Sequence, residues 1–364
     1  MIMQGYSEEG RPVGAIGRPP LPTLTDFSPE DLEALVLELG ERSYRSRQLL
    51  KRAWRGAPTP VMEIKELPTA FRTALAARVT ARALEDVTEL VSGDGNTRKR
   101  LLKTFDGHEI ESVWMRLRSV KGKWRTTTCV STQIGCAFGC LFCASGKGGL
   151  LRSLRASEIA EQVVAPDGSR PGNVVLMGMG EPLSNYDEVV KAIKIMNAPW
   201  GPGIGARRIT VSTIGLVDKI DRLSREGLEI ELAISLHAPN DDVRKQLCPG
   251  ARAGVRDLLR AARRYHSNTG RVVTLEYALV SGINDGREHA RELADRLSGY
   301  PVKVNLIPFN PVAGDLAPPS ENAVRSFLDA LVKNGTIATV RRERGADVDA
   351  ACGQLRWRRL DSPQ

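Results

Sequence analysis

The chain has 364 residues, 41% of them hydrophobic, so it can bury a large core and hold one large domain with a smaller one attached. It has no run of about 18 apolar residues that could span a membrane and no apolar signal segment at its start, which predicts a cytoplasmic protein without membrane contact. Its 52 Lys and Arg residues against 43 Asp and Glu give a net charge of +9, which fits a polyanionic partner such as nucleic acid and equally fits a basic enzyme without one.

The first part of the chain predicts a flexible tail followed by a small helical domain. Gly and Pro interrupt residues 1–23 repeatedly. In the accessory domain, residues 24–83, Ser28 is a suitable N-cap for the first of three helical stretches, and the others lie at about 46–54 and 68–78. The second stretch is basic, which indicates either a phosphate-binding surface or a solvated charged face. Its basic residues are Arg45, Arg47, Lys51, Arg52 and Arg55.

Residues 84–125 change to a strand pattern. The run Gly93-Asp94-Gly95-Asn96 is typical of a hairpin turn. A strand at 111–115 then leads into the basic segment 116–125. We therefore predict a short β extension that links the helical domain to the rest of the chain.

Strands and helices alternate from residue 126 to residue 357, and residues 358–364 form a tail. After a first strand within 126–134, strands are predicted at 173–177, 208–212, 229–236, 272–280, 303–307 and 337–341. Helical patterns lie near 157–164, 187–196, 216–225, 254–266, 287–297 and 320–333. Such repeats indicate the α/β class with a parallel sheet, and six or seven units fit a partial or full (βα) barrel. In a barrel of this kind, active residues lie at the C-terminal ends of the strands.

Three cysteines with the spacing C-x3-C-x2-C follow the first of these strands, at Cys136, Cys140 and Cys143. Thiolates are the usual ligands of iron–sulfur clusters, and three of them can hold three corners of a [4Fe–4S] cube while the fourth iron stays open to a small molecule. The alternative is a zinc site with Cys129 as fourth ligand. In a reducing compartment, the six cysteines favour metal or redox chemistry over a disulfide framework.

Polar residues follow several other predicted strands. The segment 178–181, Gly-Met-Gly-Glu, has two glycines that allow a ligand to approach the backbone, and Glu181 can pair with an ammonium group. Four more side chains are candidate ligands for a ribose, an adenine or a carboxylate, although each is alternatively a strand-end cap. They are Ser212, Ser235, His237 and Asn310.

The three remaining cysteines lie outside this spacing. Cys352 follows the last predicted strand among small residues, so its thiol is accessible and suits a nucleophile. Cys129 and Cys352 are far apart in sequence, and such a pair in a cytosolic protein suggests a transient catalytic disulfide. Cys129 is alternatively a small buried apolar residue. Cys248 has no evident partner and is interpreted as structural.

These motifs together resemble one family. C-x3-C-x2-C followed by GMGEP is similar to the signatures of the radical S-adenosylmethionine (SAM) superfamily. The segments RITVSTIGLV, AISLHAPND, LEYALVSGIND, VNLIPFNP and RGADVDAACGQL resemble the dual-specificity ribosomal RNA adenine-C2 methyltransferases of bacteria, which also modify certain transfer RNAs. The likeness extends over residues 28–357.

The resemblance implies a partial (βα)6 radical SAM barrel at residues 126–357, with the helical accessory domain binding RNA. It implies one [4Fe–4S] cluster per chain on the three spaced cysteines. Cys352 matches the cysteine that receives a methyl group, Cys129 the one that later forms a disulfide with it, and Glu111 the carboxylate that accepts a proton. The positions that match SAM-binding residues are Gly180, Glu181, Ser212, Ser235, Leu236, His237 and Asn310.

The implied partners are 23S ribosomal RNA at its peptidyl transferase centre, transfer RNA next to the anticodon, and an electron donor such as flavodoxin, with the protein acting as a monomer. The sequence departs from the family in two places. Residues 111–129 are longer and more basic, and LCPGARAG at 247–254 replaces a Pro-hydrophobe-Asn turn. Two alternatives remain open. One is the adenine-C8 methyltransferase of the sister group, and the other is a non-catalytic, zinc-bearing ribosome-binding module.

Overall fold

The structure, a computed structural model, describes residues 21–55, 59–118, 122–165, 167–311, 316–341 and 345–355. The predicted C-terminal tail lies outside these ranges, as does most of the predicted N-terminal tail. Of the latter, Thr23 is buried and pairs with Thr80 in a parallel bridge. The described chain therefore packs against the helical unit from its first few residues onward.

The helical unit consists of α1 (Pro29–Glu38), α2 (Tyr44–Arg55) and α3 (Thr69–Ala76). As the sequence predicted, the Ser28 hydroxyl caps α1 by accepting the backbone N–H of Asp31 at 3.1 Å. Apolar side chains at helical spacing, such as Leu32 and Trp54, are fully buried. They belong to the same continuous apolar cluster as the strands of the main sheet, so the helical unit shares a core with the rest of the molecule.

The β extension consists of β1 (Leu84–Val91), β2 (Thr97–Thr104) and β3 (Glu109–Arg118), paired antiparallel in that order. The predicted hairpin turn connects β1 to β2, where the Ser92 N–H donates to the Thr97 carbonyl at 2.8 Å. β3 then pairs antiparallel with β4 (Trp124–Cys129), the first strand of the main sheet. The extension thus continues the main sheet.

In the part of the chain that the structure describes, the main sheet contains seven parallel strands in the order of the sequence. After β4 come β7 (Asn173–Leu176), β8 (Ile209–Thr213), β9 (Glu231–Ser235), β10 (Val273–Leu279), β11 (Val302–Pro308) and β12 (Ala338–Val340). Two short strands, β5 (Gln133–Gly135) and β6 (Leu150–Ser153), pair separately and enclose the cysteine loop. The bounds of the six strands predicted after the first lie within two residues of those observed.

Helices follow most of the parallel strands. They are α4 (Ala156–Glu161), α5 (Tyr186–Asn197), α6 (Val217–Leu223), α7 (Asp241–Leu247), α8 (Val255–Thr269), α9 (Arg287–Leu297) and α10 (Glu321–Lys333). The sequence predicted all of these except α7. In the sheet order, β12 and β1 are the two ends, so the sheet is open and the predicted partial barrel is confirmed. Among the described residues no helix is long and apolar enough to cross a membrane.

Candidate active site at the C-terminal ends of the strands

The cysteine loop lies between β5 and β6 and is held by its own backbone. The Cys136 N–H donates to the Gly149 carbonyl at 2.9 Å, and the Cys143 N–H donates to the Cys140 carbonyl at 3.0 Å. All three cysteines line one open cavity. Burial raises the pKa of Cys136 to about 12 and also raises that of Cys143. Buried thiols of this kind ionise only beside a compensating positive charge, which a metal centre supplies.

The other wall of this cavity is formed by polar residues at the C-terminal ends of four strands of the main sheet. Gly180 and Glu181 follow β7, Ser212 lies in β8, and Ser235 and His237 are at the end of β9. Asn310, after β11, completes the wall, and its amide donates to the Cys352 carbonyl at 3.2 Å. The structure therefore brings together the polar residues that the strand-end rule singled out.

Gly180 shows why glycine is needed in the turn after β7. Its φ is +98°, and an added Cβ would lie 2.5 Å from the Cβ of Gln133. The Gln133 amide oxygen accepts the backbone N–H of Glu181 at 2.8 Å. The turn is thus packed directly against the segment that leads into the cysteine loop.

The Glu181 side chain is buried and fixed by backbone donors. Its carboxylate accepts the N–H of Leu183 at 2.9 Å and the N–H of Ile214 at 2.7 Å. Burial nevertheless raises the pKa of Glu181 to about 7. A cationic ligand such as an ammonium group would favour the ionised form, because it compensates the buried charge.

His237 has a constrained backbone and a defined ring. Its φ of +57° is uncommon for a residue other than glycine. Its Nδ1 accepts the N–H of Ala278 at 2.9 Å, and burial, with a smaller effect of nearby Arg244, lowers the pKa of His237 to about 3. The ring is therefore neutral with its proton on Nε2, and its edge packs on Phe142 at 4.5 Å between ring centroids.

Leu236 is the exception among the expected SAM-binding positions. Its side chain is fully buried and does not line the cavity, while its N–H donates to the Glu276 carbonyl at 3.0 Å. Any contribution of Leu236 to binding would come through the position it gives to its neighbours.

The cysteine arrangement fits a cluster better than a closed zinc site. Cys129, the fourth ligand of the zinc alternative, does not line the cavity that contains Cys136 and Cys140. It lines an adjoining cavity with Cys143 and Cys352. The three spaced cysteines line one open cavity together with polar strand ends, as needed for a cluster whose fourth iron binds a small ligand.

Comparison with known proteins decides the family. Residues 130–296 match the model of the Radical SAM superfamily. "Ribosomal RNA large subunit methyltransferase N" of Nitrosopumilus maritimus is 45% identical over 338 residues, which cover 90% of this chain and 96% of that protein. "Probable dual-specificity RNA methyltransferase RlmN" of Symbiobacterium thermophilum is 46% identical over 351 residues, which cover 94% and 92%. A solved radical SAM methyltransferase from Sphaerobacter thermophilus is 44% identical with a TM-score of 0.86 and covers 92% of this chain and 99% of its own.

The chain belongs to the RlmN family of radical SAM methyltransferases. Its cofactors are accordingly a [4Fe–4S] cluster and SAM, as the sequence predicted. Neither the zinc-bearing module nor the C8 methyltransferase is favoured by these relatives.

The two lone cysteines, far apart in the sequence, are neighbours in this RlmN-family fold. Cys129 ends β4, and Cys352 lies in the loop after β12. Both line the cavity that adjoins the cysteine loop. Burial raises the pKa of Cys129 to about 12, and the nearby Cys352 adds to this effect. This placement is compatible with the disulfide that the resemblance implies, which stays a prediction.

Glu111, the predicted proton acceptor, takes part in a buried ion pair. It is buried on β3 and pairs with Lys99 at 3.1 Å. The Lys99 ammonium also donates to the carbonyl of Asp349 at 3.3 Å, in the loop that carries Cys352. Glu111 does not itself line the cavities around the cysteines, so its role as proton acceptor stays a prediction.

The structure adds two charged residues that the sequence did not single out. Arg341, directly after β12, lines three adjoining cavities, all of which also include Cys352. The charges of Cys352, and then of Glu276 and Cys129, raise the pKa of Arg341. Glu276, buried in β10, accepts the Asn305 amide at 2.7 Å, and burial raises its pKa. Both residues could have been found from the sequence. Arg341 directly follows the last strand, where the strand-end rule expects active residues, and Glu276 is the single acid within the apolar strand VTLEYAL.

Proposed function

We propose that the protein methylates C2 of an adenosine in 23S ribosomal RNA, and of the adenosine next to the anticodon in some transfer RNAs. The observation that carries the proposal is the position of Cys352 between the cavity of the three spaced cysteines and the thiol of Cys129. The names of the relatives, a ribosomal RNA large subunit methyltransferase and a dual-specificity RNA methyltransferase, support the substrate class.

We assign the cofactors to the cavity residues. Cys136, Cys140 and Cys143 would hold the cluster, and the polar wall from Gly180 to Asn310 would bind SAM. When bound, the two groups supply methyl groups and a carbon radical that can remove a hydrogen atom. Such chemistry is needed because C2 of adenine is electron-poor and carries a hydrogen of no useful acidity. Ordinary nucleophilic attack on SAM therefore has no starting point at this carbon.

Cys352 is the residue that carries carbon to the base in this scheme. Its sulfur accepts a methyl group and, after that group loses a hydrogen atom, joins C2 through a methylene bridge. Arg341 lines the same cavities as Cys352, so its guanidinium lies beside the loop that receives the methyl group. Asn310 holds the backbone of the loop at Cys352 through its amide hydrogen bond of 3.2 Å.

Glu111 and Cys129 act in the last steps of the proposed reaction. After the methylene group has joined C2, the adduct must lose one electron and one proton; the cluster, when bound, would take the electron, and Glu111 accepts the proton. The pairing of Glu111 with Lys99 links this step to the loop that carries Cys352. The sulfur of Cys129 then attacks the sulfur of Cys352. The S–CH2 bond breaks, a disulfide forms, and the released carbon takes up a proton to become the methyl group of the product.

We further propose that the protein acts as a cytoplasmic monomer and receives electrons from a small redox protein such as flavodoxin. Cytoplasmic RNA substrates and a set of six free cysteines support a reducing compartment. Size-exclusion chromatography with light scattering tests the monomer. A stable dimer at micromolar concentration would contradict it.

Nucleoside analysis tests the reaction. Anaerobically reconstituted protein is incubated with SAM, reductant and unmodified 23S RNA, and the digested nucleosides are compared with authentic 2-methyladenosine and 8-methyladenosine. We expect 2-methyladenosine alone, and no product with the Cys352→Ala variant. The 8-methyl isomer would instead support the sister activity. Absence of both from protein with a full complement of iron would overturn the proposal.

A further inference from the structure

Cys248 lies against one of the three spaced cysteines. It follows α7 and is fully buried, and Cys140 packs against the small apolar cluster to which Cys248 belongs, close enough for the two thiols to interact. Cys140 lines the open cavity, whereas Cys248 does not. The pair therefore consists of one thiol that solutes can reach and one thiol behind it.

Backbone hydrogen bonds on both sides hold the two segments together. The Leu141 N–H donates to the Leu247 carbonyl at 3.0 Å, and the Gly250 N–H donates to the Phe138 carbonyl at 3.2 Å. These bonds bracket Cys140 on one segment and Cys248 on the other. The backbone pairing thus holds the segments that carry Cys140 and Cys248 side by side.

The segment that carries Cys248 is the same LCPGARAG stretch that departs from the family pattern. Cys248 packs in a small apolar cluster that also includes Phe309 and Val280. A valine or another small apolar residue would fill such a position equally well. The thiol is therefore not explained by packing.

We propose that Cys140 and Cys248 form a disulfide in the cluster-free protein when a low-molecular-weight disulfide is present. The Cys140 sulfur attacks the oxidant, forms a mixed disulfide and releases one thiol. The Cys248 sulfur then attacks the Cys140 sulfur and releases the second thiol. Two protein thiols are oxidised and the oxidant is reduced to two thiols, so electrons and atoms balance.

The consequence is reversible protection of a cluster ligand. While the disulfide exists, Cys140 cannot bind iron, and a dithiol reductant restores it. The intramolecular bond also keeps Cys140 from the irreversible oxidation that an isolated exposed thiol undergoes. None of this depends on the proposed RNA reaction.

Peptide mapping of the full-length protein tests the pair. Iron is removed by chelation under reduction, and the protein is then exposed anaerobically to oxidised glutathione. The background carries Cys129→Ser and Cys352→Ser, so that the other neighbouring pair cannot react. We expect the loss of two thiols per chain and a peptide in which Cys140 is linked to Cys248.

Matched variants at Cys248 make the test specific. Cys248→Val preserves the apolar packing, and Cys248→Ser preserves the size, so at least one folded variant should take up iron normally under reduction. In that variant Cys140 should accumulate as the glutathione mixed disulfide. Two results would overturn the proposal. One is a predominant disulfide from Cys140 to Cys136 or Cys143, and the other is a mixed disulfide at Cys140 in the parent protein while Cys248 is still free.

Discussion

Arg341 places a half-buried positive charge among the residues that the proposed reaction uses. Its guanidinium interacts with Cys352, Glu276 and Cys129, and it contacts the sulfur of Met177 at 3.9 Å. Because solvent screens a half-buried charge less than a fully exposed one, its interactions with these neighbours are stronger than they would be at the surface.

Replacing Arg341 should therefore slow methyl transfer to Cys352. We expect Arg341→Gln to reduce the rate on the order of tenfold, which corresponds to about 1.4 kcal/mol of lost stabilisation. Arg341→Lys keeps the charge and should retain most of the rate. The measurement is the time course of the methylated Cys352 peptide by mass spectrometry at one fixed pH. Equal rates for Arg341→Gln and the parent protein would contradict the assigned role.

Single site residues differ in how far the sequence alone could predict them. The strand-end rule and the cysteine spacing identified side chains that the fold brings to one cavity, such as Ser212, Ser235 and Asn310. The same approach missed Arg341 and the contact of Cys248 with Cys140. The approach of Arg341 to Glu276 and of Cys140 to Cys248 joins segments far apart in the sequence, and it depends on tertiary packing that local patterns do not encode.

At the scale of single elements, the loop after α7 supports the cysteine loop through a close backbone approach. An added Cβ on Gly250 would lie 2.5 Å from the carbonyl oxygen of Phe138 and 2.8 Å from its Cα. Backbone atoms cannot move aside as a flexible side chain can. Gly250 is therefore part of the support for the cysteine loop.

Gly250→Ala should displace the cysteine loop and weaken cluster retention. We expect destabilisation of about 1–3 kcal/mol, as for other overpacked sites, and a clear loss of iron and sulfide after reconstitution. Gly205→Ala is the matched control, since Gly205 has a φ of −57° and an added Cβ would find its nearest neighbour, Arg208, at 4.0 Å. Full iron content in Gly250→Ala would show that the contact does not support the loop.

Elements with strong apolar patterns were predicted well, and those shaped by long-range contacts were not. Strands such as β8 and β10 have apolar, β-branched residues that specify them locally. By contrast, the expected strand within 126–134 divides into β4 and β5 around Ser131, whose hydroxyl donates to the Glu111 carbonyl at 2.6 Å. The seven-residue helix α7 is too short to show a helical period.

At the scale of the whole molecule, the helical unit is tied to the barrel by a buried acid. The Glu161 carboxylate, on α4, accepts the backbone N–H groups of Ala83 at 2.9 Å and Leu84 at 3.1 Å, and the hydroxyl of Thr25. Length and composition predicted one large domain with a smaller one attached. They could not predict this anchoring or the continuous sheet from β3 to β4, because both depend on pairings between distant segments.

This anchoring gives the basic helix α2 a fixed place on the molecule. Arg45 and Arg52 are engaged with Glu41 and Glu66, respectively. Arg47 and Lys51 are exposed, one helical turn apart, and neither has an ion-pair partner in the part of the chain that the structure describes. These two residues are the best placed on α2 to contact RNA phosphates.

Changing Arg47 and Lys51 to Gln should weaken RNA binding and its dependence on salt. Two lost contacts should lower the slope of log K against log salt by roughly 1.4, as for single strands. Arg256→Gln with Arg260→Gln is the matched control, because these residues are exposed and one turn apart on α8. SAM cleavage should be unaffected in both. If the two double variants lose RNA affinity equally, α2 is not a specific contact surface.

Cys352 and Cys129 have different roles in the proposed mechanism, and removing each of them separately is its most direct test. Cys129→Ala protein, incubated anaerobically with SAM, reductant and RNA, should methylate Cys352, join it to the adenine and then stall. We predict a covalent protein–RNA adduct, seen as a shifted band on a denaturing gel that ribonuclease destroys. Cys352→Ala should give none. Normal turnover by Cys129→Ala, or an adduct formed by Cys352→Ala, would contradict the mechanism.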